Sequence, residues 1–170
     1  MREGLNVKTV CVILMLALAL SGCAASEVYE TLGNAMLPVV AQQPQSILLE
    51  LPDDAALSVF DGNGGKLYTG EGYEVCLETL RSGDLDGTLR AVTGFGKDKL
   101  TLLQTKQGSL DRYSCAWTAA GEAGDTGGRC AILDDGLYHY CLVVTAAAEK
   151  AGKLGDSIGQ ILASFGIAED

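Results

Sequence analysis

The chain contains one histidine, His139, which lies between Tyr138 and Tyr140 in an apolar stretch. An imidazole titrates near neutral pH and can act as a general base when a carboxylate orients it. The carboxylates considered for that role are Glu122, Asp134 and Asp135. A lone histidine inside a strand is more often packed and hydrogen-bonded to its neighbours, and we favour that interpretation over catalysis.

Aromatic residues close to this histidine suggest a pocket. Tyr138, Tyr140 and the single tryptophan, Trp117, form with His139 a candidate binding pocket. Aromatic residues at strand spacing are also typical of a protein core, because burial of their large apolar surface is favourable. Pocket and core are therefore alternative interpretations of the same residues.

Sequence motifs of common catalytic and metal centres are absent. The chain has no Gly-x-Ser-x-Gly, His-Glu-x-x-His or Cys-x-x-Cys sequence. The segment from Asp84 to Gly87 is similar to part of a calcium loop, but Phe95 stands at the twelfth position, where that loop needs a glutamate. We therefore expect a protein that is not an enzyme and that has neither a metal centre nor a cofactor.

The N-terminal region has the layout of an export signal. Arg2 and Lys8 lie in the first ten residues, the next ten residues carry no charge, and Ser21-Gly22 precedes Cys23. This order of basic, apolar and small residues is typical of a secretory signal peptide. The apolar run is too short to span a bilayer, which requires roughly 20 residues.

The sequence Leu20-Ser21-Gly22-Cys23 resembles the processing motif of bacterial lipoproteins. The resemblance implies that residues 1–22 are removed and that the Cys23 thiol is acylated, with palmitate-type chains that anchor the protein on the extracytoplasmic face of the cell membrane. A plain secretory signal with an incidental cysteine is the alternative. We expect residues 23–45 to form a lipidated N terminus with a short helix and a connector, and residues 46–168 to form a single α+β domain.

The charge of the chain limits its partners. It has 22 acidic and 12 basic residues, which gives a formal net charge of −10. Nucleic acid and anionic lipid surfaces repel such a chain. We expect no nucleic-acid partner, membrane attachment through the lipid at Cys23, and an unidentified protein or small-molecule ligand.

Four cysteines lie in the expected domain: Cys76, Cys115, Cys130 and Cys141. An exported chain with four cysteines favours disulfides. Antiparallel pairing of residues 113–117 with residues 128–132 places Trp117 opposite Gly128 and Cys115 opposite Cys130, at a separation that a disulfide tolerates. We therefore predict a disulfide between Cys115 and Cys130.

The other cysteine pairings depend on neighbouring strands. Leu133 placed opposite Leu137 puts Cys130 opposite Tyr140 and Cys141 on the other face, which disfavours a bond between those cysteines. A disulfide between Cys76 and Cys141 requires that their strands be adjacent. Buried thiols are the alternative for all four cysteines.

The apolar pattern predicts the elements that position these residues. The predicted helices run from Ser26 to Met36, from a cap at Asp84 or Asp86 to Gly94, and from Ala147 to Phe165, the last with a close approach to the sheet or a break near Asp156. The predicted strands are residues 46–51, 57–60, 66–68, 73–80, 99–105, 110–118, 130–133 and 137–145. We expect an α+β fold, in which an antiparallel sheet of about six to seven strands is covered by an N-terminal helix and a long C-terminal helix.

The C-terminal third resembles a known fold family. The strand Gly136-Leu137-Tyr138-His139-Tyr140-Cys141-Leu142-Val143-Val144 and the following helix, which ends with Ile161-Leu162-Ala163-Ser164-Phe165, are similar to the end of PsbP-like domains. The resemblance covers residues 110–167. It implies an antiparallel sheet covered by helices and transfers no functional residue to this chain.

Three functions are compatible with these features. We favour a non-catalytic binding or accessory lipoprotein of unknown ligand. The alternative is a structural subunit of an envelope complex, which contacts its partner through the N-terminal helix. An enzyme that uses His139 is the third.

Overall fold

The computed structural model describes residues 29–32, 35–38, 42–60, 65–121 and 124–168. The chain divides into two compact units, with the boundary between Gln43 and Pro44. No helix within the described ranges is both long enough and apolar enough to cross a membrane. The predicted signal peptide and Cys23 lie outside the described residues, and lipidation stays a prediction.

The described part of the first unit is a pair of short strands, β1 (Tyr29–Leu32) and β2 (Ala35–Pro38). They pair antiparallel, with Leu32 opposite Ala35. The prediction of a helix from Ser26 to Met36 is wrong over these residues. A helix of this length is marginal on its own, so short-range strand pairing can replace it.

The second unit begins with residues 44–51, which we call the strap. The strap contains a two-residue strand, β3 (Ile47–Leu48), which pairs antiparallel with the C-terminal strand β11 (Gly166–Ile167). The prediction that residues 46–51 form a full strand is therefore wrong. Pro44 is the first residue of the strap and Pro52 follows its last residue. Neither has a backbone N–H, which limits the length over which the strap can pair with a neighbouring strand.

Seven antiparallel strands form the central sheet. Their bounds are β4 (Ala56–Phe60), β5 (Lys66–Gly70), β6 (Tyr73–Arg81), β7 (Thr101–Gln107), β8 (Leu110–Ala119), β9 (Thr126–Asp134) and β10 (Tyr138–Ala147). Their order across the sheet is β4-β5-β6-β10-β9-β8-β7. The α+β class and the predicted number of strands are confirmed.

The register of two strand pairs decides which cysteines meet. Strands β8 and β9 pair as predicted, with Trp117 opposite Gly128. The predicted register of β9 with β10 is wrong, because Leu133 lies opposite Tyr140 and not opposite Leu137. A shift by an odd number of residues exchanges the faces of a strand, so Cys141 lies on the same face as Cys130.

The turn chemistry between β9 and β10 explains this shift. The Asp135 carboxylate accepts hydrogen bonds from the N–H groups of Leu137 and Tyr138, at 2.8 and 2.7 Å. Gly136 has the positive φ expected of a glycine turn, 90°. These bonds stabilise a longer loop than the predicted one, in which Leu133 would lie opposite Leu137.

One short helix follows β6. This helix, α1 (Leu85–Thr93), begins at Asp84, whose carboxylate accepts from the N–H groups of Asp86 and Gly87. It ends at Gly94, which adopts the left-handed conformation with φ of 79°. Both ends agree with the prediction. A 3-10 helix (Lys97–Lys99) then leads to β7.

The C-terminal helix is broken into two parts. They are α2 (Ala148–Ala151) and α3 (Gly155–Ser164). The prediction of one long helix is wrong. The break lies just before Asp156, as in the alternative prediction of a break near that residue. Each glycine costs a helix about 1 kcal/mol relative to alanine, so Gly152 and Gly155 weaken the helix at this point.

Each face of the sheet carries an apolar core. The face beneath the strap and α3, which we call the strap face, includes the buried residues Val75, Leu77, Leu133, Tyr140, Leu142, Ile158 and Phe165. The face beneath α1, which we call the α1 face, includes Leu89, Cys115, Cys130, Ile132, Cys141 and Val143. Because β10 is apolar on both sides, it lies at the centre of the sheet.

Candidate functional site

The strap is tied to the domain near both of its ends. The Gln45 N–H donates to the Tyr140 hydroxyl at 3.0 Å, and the Glu50 N–H donates to the Ser164 hydroxyl at 3.0 Å. The Ala168 N–H donates to the carbonyl of Ser46 at 2.8 Å. These bonds hold an extended segment over the strap face.

Alternate residues of the strap face the sheet. Ile47, Leu49 and Leu51 pack against the core, whereas Leu48 and Glu50 are exposed. This alternation is that of an extended chain with one covered side. The strap therefore acts as an apolar cover for one part of the sheet.

An open groove of about 290 Å³ lies between the strap and strands β5 and β6. The strap contributes its inward-facing apolar side chains, and the sheet contributes Tyr68, Leu77 and Thr79. Small-molecule sites are typically concave and about 300–1,000 Å³ in volume, so the volume of this groove is close to the lower limit. We take it as the candidate functional site.

Four of the lining residues have polar groups in their side chains. They are Gln45, Lys66, Tyr68 and Thr79, of which only Lys66 carries a charge. Lys66 lies opposite Leu77 in the β5–β6 register. Its side chain is exposed, and within the described part of the chain it forms no ion pair. The groove thus combines aliphatic and polar lining residues with one exposed positive charge.

The hydroxyl of Tyr140 fixes the end of the strap beside the groove. It accepts from Gln45 and donates to the Asp135 carboxylate at 2.8 Å. Burial, together with the bond to Asp135, raises the pKa of Tyr140 to about 12, although the Gln45 N–H opposes the shift. Burial disfavours the charged form of Asp135, but its hydrogen bonds outweigh that effect and lower its pKa. At neutral pH the hydroxyl therefore keeps its proton and both bonds.

His139 lies on the α1 face, away from the groove, and is 1% exposed. Its Nδ1 atom lies 2.7 Å from the Thr88 hydroxyl, which is carried by α1. Its Nε2 atom lies 3.4 Å from the Ser82 hydroxyl and 3.4 Å from Oδ2 of Asp134. Both ring nitrogens are thus occupied by groups of the protein.

Thr88, His139 and Asp134 have the residue types of a hydroxyl, histidine and carboxylate triad. A nucleophile must meet its substrate, however, and Thr88 is only 6% exposed. The other two carboxylates considered for catalysis do not join the cluster, because Asp135 binds Tyr140 and Glu122 lies outside the described residues. The arrangement is suited to holding α1 on the sheet.

The four residues of the candidate pocket do not line one cavity. Tyr138 and Tyr140 are buried on the strap face, with ring centroids 6.2 Å apart. His139 and Trp117 lie on the α1 face, because neighbouring residues of a strand point to opposite faces. Trp117 packs over Gly128, where a Cβ atom would collide with the indole ring. The aromatic residues of the predicted pocket are thus divided between the two faces of the sheet.

The predicted disulfide between Cys115 and Cys130 is present, with Cα atoms 5.2 Å apart. Cys76 and Cys141 are thiols on the same face. Their strands are adjacent, but Cys76 lies opposite Val143 and Cys141 opposite Glu78, so the cysteines are diagonal neighbours. Diagonal Cα atoms are about 7–8 Å apart, which is too far for a disulfide.

The thiol of Cys141 is protected from reaction by its surroundings. Burial, followed by the nearby Glu78 and Cys76 side chains, raises the pKa of Cys141 to about 12. Because the thiolate is the reactive form, this thiol is inert at neutral pH. We therefore interpret Cys141 as a core residue.

The residues of the candidate calcium loop stabilise α1. Asp84 caps the helix. The Asp86 carboxylate forms an ion pair with Arg90 at 2.7 Å and accepts from the N–H of Lys97 at 2.6 Å. Within the described ranges, no group of three side chains could hold a metal ion.

Sequence reasoning missed the groove because it placed the strap within the sheet. The signal was the alternation of Ile47, Leu49 and Leu51 between two prolines, Pro44 and Pro52. Proline cannot donate to a ladder and is confined to the ends and edges of strands, so prolines on both sides favour a short segment over a long strand of the sheet.

Comparisons with solved structures give remote similarities. The sequence matches no protein-family model. It matches no curated protein. Among solved structures, LpqN of Mycobacterium tuberculosis, which is involved in cell envelope biogenesis, has 16% identity and a TM-score of 0.48, over 75% of this chain and 87% of LpqN.

Two further structures are similar to the same degree. A protein of Bacteroides thetaiotaomicron has 15% identity and a TM-score of 0.49, over 73% of this chain and 46% of that protein. The Pseudomonas aeruginosa protein PA94 has 15% identity and a TM-score of 0.47, over 84% of this chain and 98% of that protein. Similarities at this level carry no argument on function, which is therefore argued from the domain itself.

Proposed function

We propose that this protein is an exported lipoprotein, anchored through acylated Cys23 on the extracytoplasmic face of the cell membrane. The order of basic, apolar and small residues before Cys23 supports the proposal, as does the Leu20-Ser21-Gly22-Cys23 sequence. Two or more acyl chains attach a protein stably, whereas one chain gives only marginal binding.

We propose further that the folded domain is a non-catalytic binding module whose ligand occupies the groove beneath the strap. The observation that carries this proposal is the concave groove of about 290 Å³ between strap and sheet, whose lining combines aliphatic side chains with a small set of polar ones. The burial of Thr88 and His139 supports the non-catalytic assignment. The alternative of a structural subunit relied on an N-terminal helix, and residues 29–32 and 35–38 are strands.

The anchor is tested by the substitution Cys23→Ala. We expect the variant to incorporate no radiolabelled palmitate and to leave the membrane fraction, because acylation requires the thiol. Labelled protein of mature size that stays on the membrane after a carbonate wash would contradict the proposal.

The groove is tested by hydrogen exchange with decanol as a neutral apolar probe. We expect decanol to slow amide exchange in residues 44–51, since a bound molecule would hold the strap against the sheet. Thr79→Phe fills the groove and should abolish this protection. Thr105→Phe, which adds the same ring on an exposed edge strand, serves as the matched control. Unchanged exchange in the wild-type strap would contradict the binding function.

A further inference from the structure

We propose that the groove selects a free, single-chain carboxylate of medium length, with its alkyl chain between strap and sheet and its carboxylate at Lys66. This inference rests on the proposed function, because it names the ligand class of the same groove. The charge of the lining, the position of that charge and the volume of the groove support it.

The charge of the lining favours an anion. Lys66 is the one charged side chain among the described residues that line the groove. The Lys66 side chain is exposed, and no ion pair of Lys66 occurs within the described ranges. An ammonium group forms charge-assisted hydrogen bonds with a carboxylate. The chain has a net charge of −10, which repels anions from most of its surface. A local cation beside an apolar groove therefore distinguishes this site from the rest of the surface.

The position of Lys66 fits a ligand with two chemically different ends. Lys66 lies directly opposite Leu77, which is 4% exposed and forms part of the apolar lining. Directly opposed residues in an antiparallel pair have Cβ atoms about 4.5–5.5 Å apart. An alkyl chain on Leu77 can thus end at the ammonium group, while the exposed lysine leaves the carboxylate in contact with water.

The volume indicates how much of a ligand the groove can cover. One water molecule occupies about 30 Å³ in the liquid, so about 290 Å³ holds on the order of ten groups of that size. Ten carbon atoms in one chain correspond to decanoate. A diacyl lipid has two longer chains, which the groove would cover only in part, and we therefore assign the groove to a free carboxylate.

The test is photo-crosslinking of the full-length protein, purified from the cell envelope and held in phosphatidylcholine nanodiscs. The probes are a ten-carbon carboxylate with a diazirine in its chain and the corresponding alcohol. We expect both probes to label peptides that contain residues 44–51 or residues 66–79. Unlabelled decanoate should compete roughly fivefold better than decanol, because an exposed ion pair contributes at most about 1 kcal/mol.

Two lysine variants separate the local charge from the total charge. Lys66→Gln should remove the preference for decanoate and leave labelling by the alcohol probe unchanged. Lys97→Gln removes a positive charge outside the groove and should keep the preference. Equal competition by decanoate and decanol, with no effect of Lys66→Gln, would overturn the carboxylate assignment and leave the groove as a binding site.

Two other outcomes would also overturn the inference. No labelling of the groove peptides by either probe would contradict the proposed function as well. Labelling that disappears when phosphatidylglycerol replaces phosphatidylcholine would show that a membrane lipid occupies the site, which contradicts the assignment to a free carboxylate.

Discussion

The Tyr140 hydroxyl accepts a hydrogen bond from the Gln45 N–H at 3.0 Å, although these residues are 95 positions apart in the chain. This bond connects the central strand β10 to the start of the strap. The same hydroxyl donates to Asp135 in the turn between β9 and β10. One side chain thus couples the turn, the core and the cover of the groove.

The substitution Tyr140→Phe should loosen the strap. It removes both hydrogen bonds of the hydroxyl, each worth about 1 kcal/mol, so we expect a loss of about 2 kcal/mol in the free energy of unfolding. Amide exchange in residues 44–51 should become faster. Urea denaturation and hydrogen exchange measure the two effects.

Tyr113→Phe is the control, since the structure gives that hydroxyl no hydrogen bond within the described ranges. An equal loss of stability in both variants would contradict the role of the Tyr140 hydroxyl in holding the strap.

Alkaline pH should destabilise the domain. Burial is the main cause that raises the pKa values of Tyr73, Tyr140 and Cys141, each to about 12. In the unfolded chain the thiol titrates near 9 and the tyrosines near 10, so the folded state binds more protons between these values and 12. Stability is therefore complete below about pH 9 and falls as the pH rises towards 12.

Thermal melting between pH 7 and pH 12 tests this dependence. We expect the melting temperature to begin to fall near pH 9, and Cys141→Ala should delay that fall until about pH 10, where the tyrosines begin to titrate. A melting temperature that is constant up to pH 11 would contradict the assignment.

The disulfide between Cys115 and Cys130 should contribute strongly to stability. A bridge that closes a loop of about 15 residues stabilises a protein by roughly 3 kcal/mol on the chain-entropy model. We expect reduction to lower the melting temperature by more than 5 °C in a domain of this size. Peptide mapping without reductant identifies the bond directly, and Cys115 linked to Cys76 or Cys141 would show that the β8–β9 register is wrong.

His139→Gln should reduce stability and leave ligand binding unchanged. The imidazole connects Thr88 on α1 to Ser82 and Asp134, and glutamine cannot reproduce contacts at both ring nitrogens. We expect a loss of about 1–3 kcal/mol, as for a buried polar group that loses its partner. Urea denaturation measures the loss, and the decanol-dependent exchange of the strap serves as the binding assay. A variant of normal stability that loses binding would place His139 in the functional site.

The sequence predicted the features that depend on local chemistry. The cap at Asp84, the stop at Gly94 and the β8–β9 register all follow from short-range patterns and agree with the structure. Side chains alternate between the two faces along a strand, so Tyr138 and His139 of β10 point to opposite faces. The candidate pocket grouped both residues and was therefore incompatible with a strand at this position.

The features that sequence reasoning missed depend on contacts between distant residues. The strap lies on the sheet because Gln45 meets Tyr140 and Glu50 meets Ser164, and no local pattern specifies those pairs. The β9–β10 register depends on how Asp135 bonds to the turn, which residue types alone did not determine. The groove arises from the strap and therefore could not be predicted without it.

Native mass spectrometry of the protein taken directly from membranes tests the central claim, which is that the groove beneath the strap binds a small apolar ligand. We predict that the wild-type protein carries a bound small molecule, and that Thr79→Phe carries none while Thr105→Phe retains it. A wild-type protein that carries no small molecule and is instead associated with a second protein chain would contradict the account.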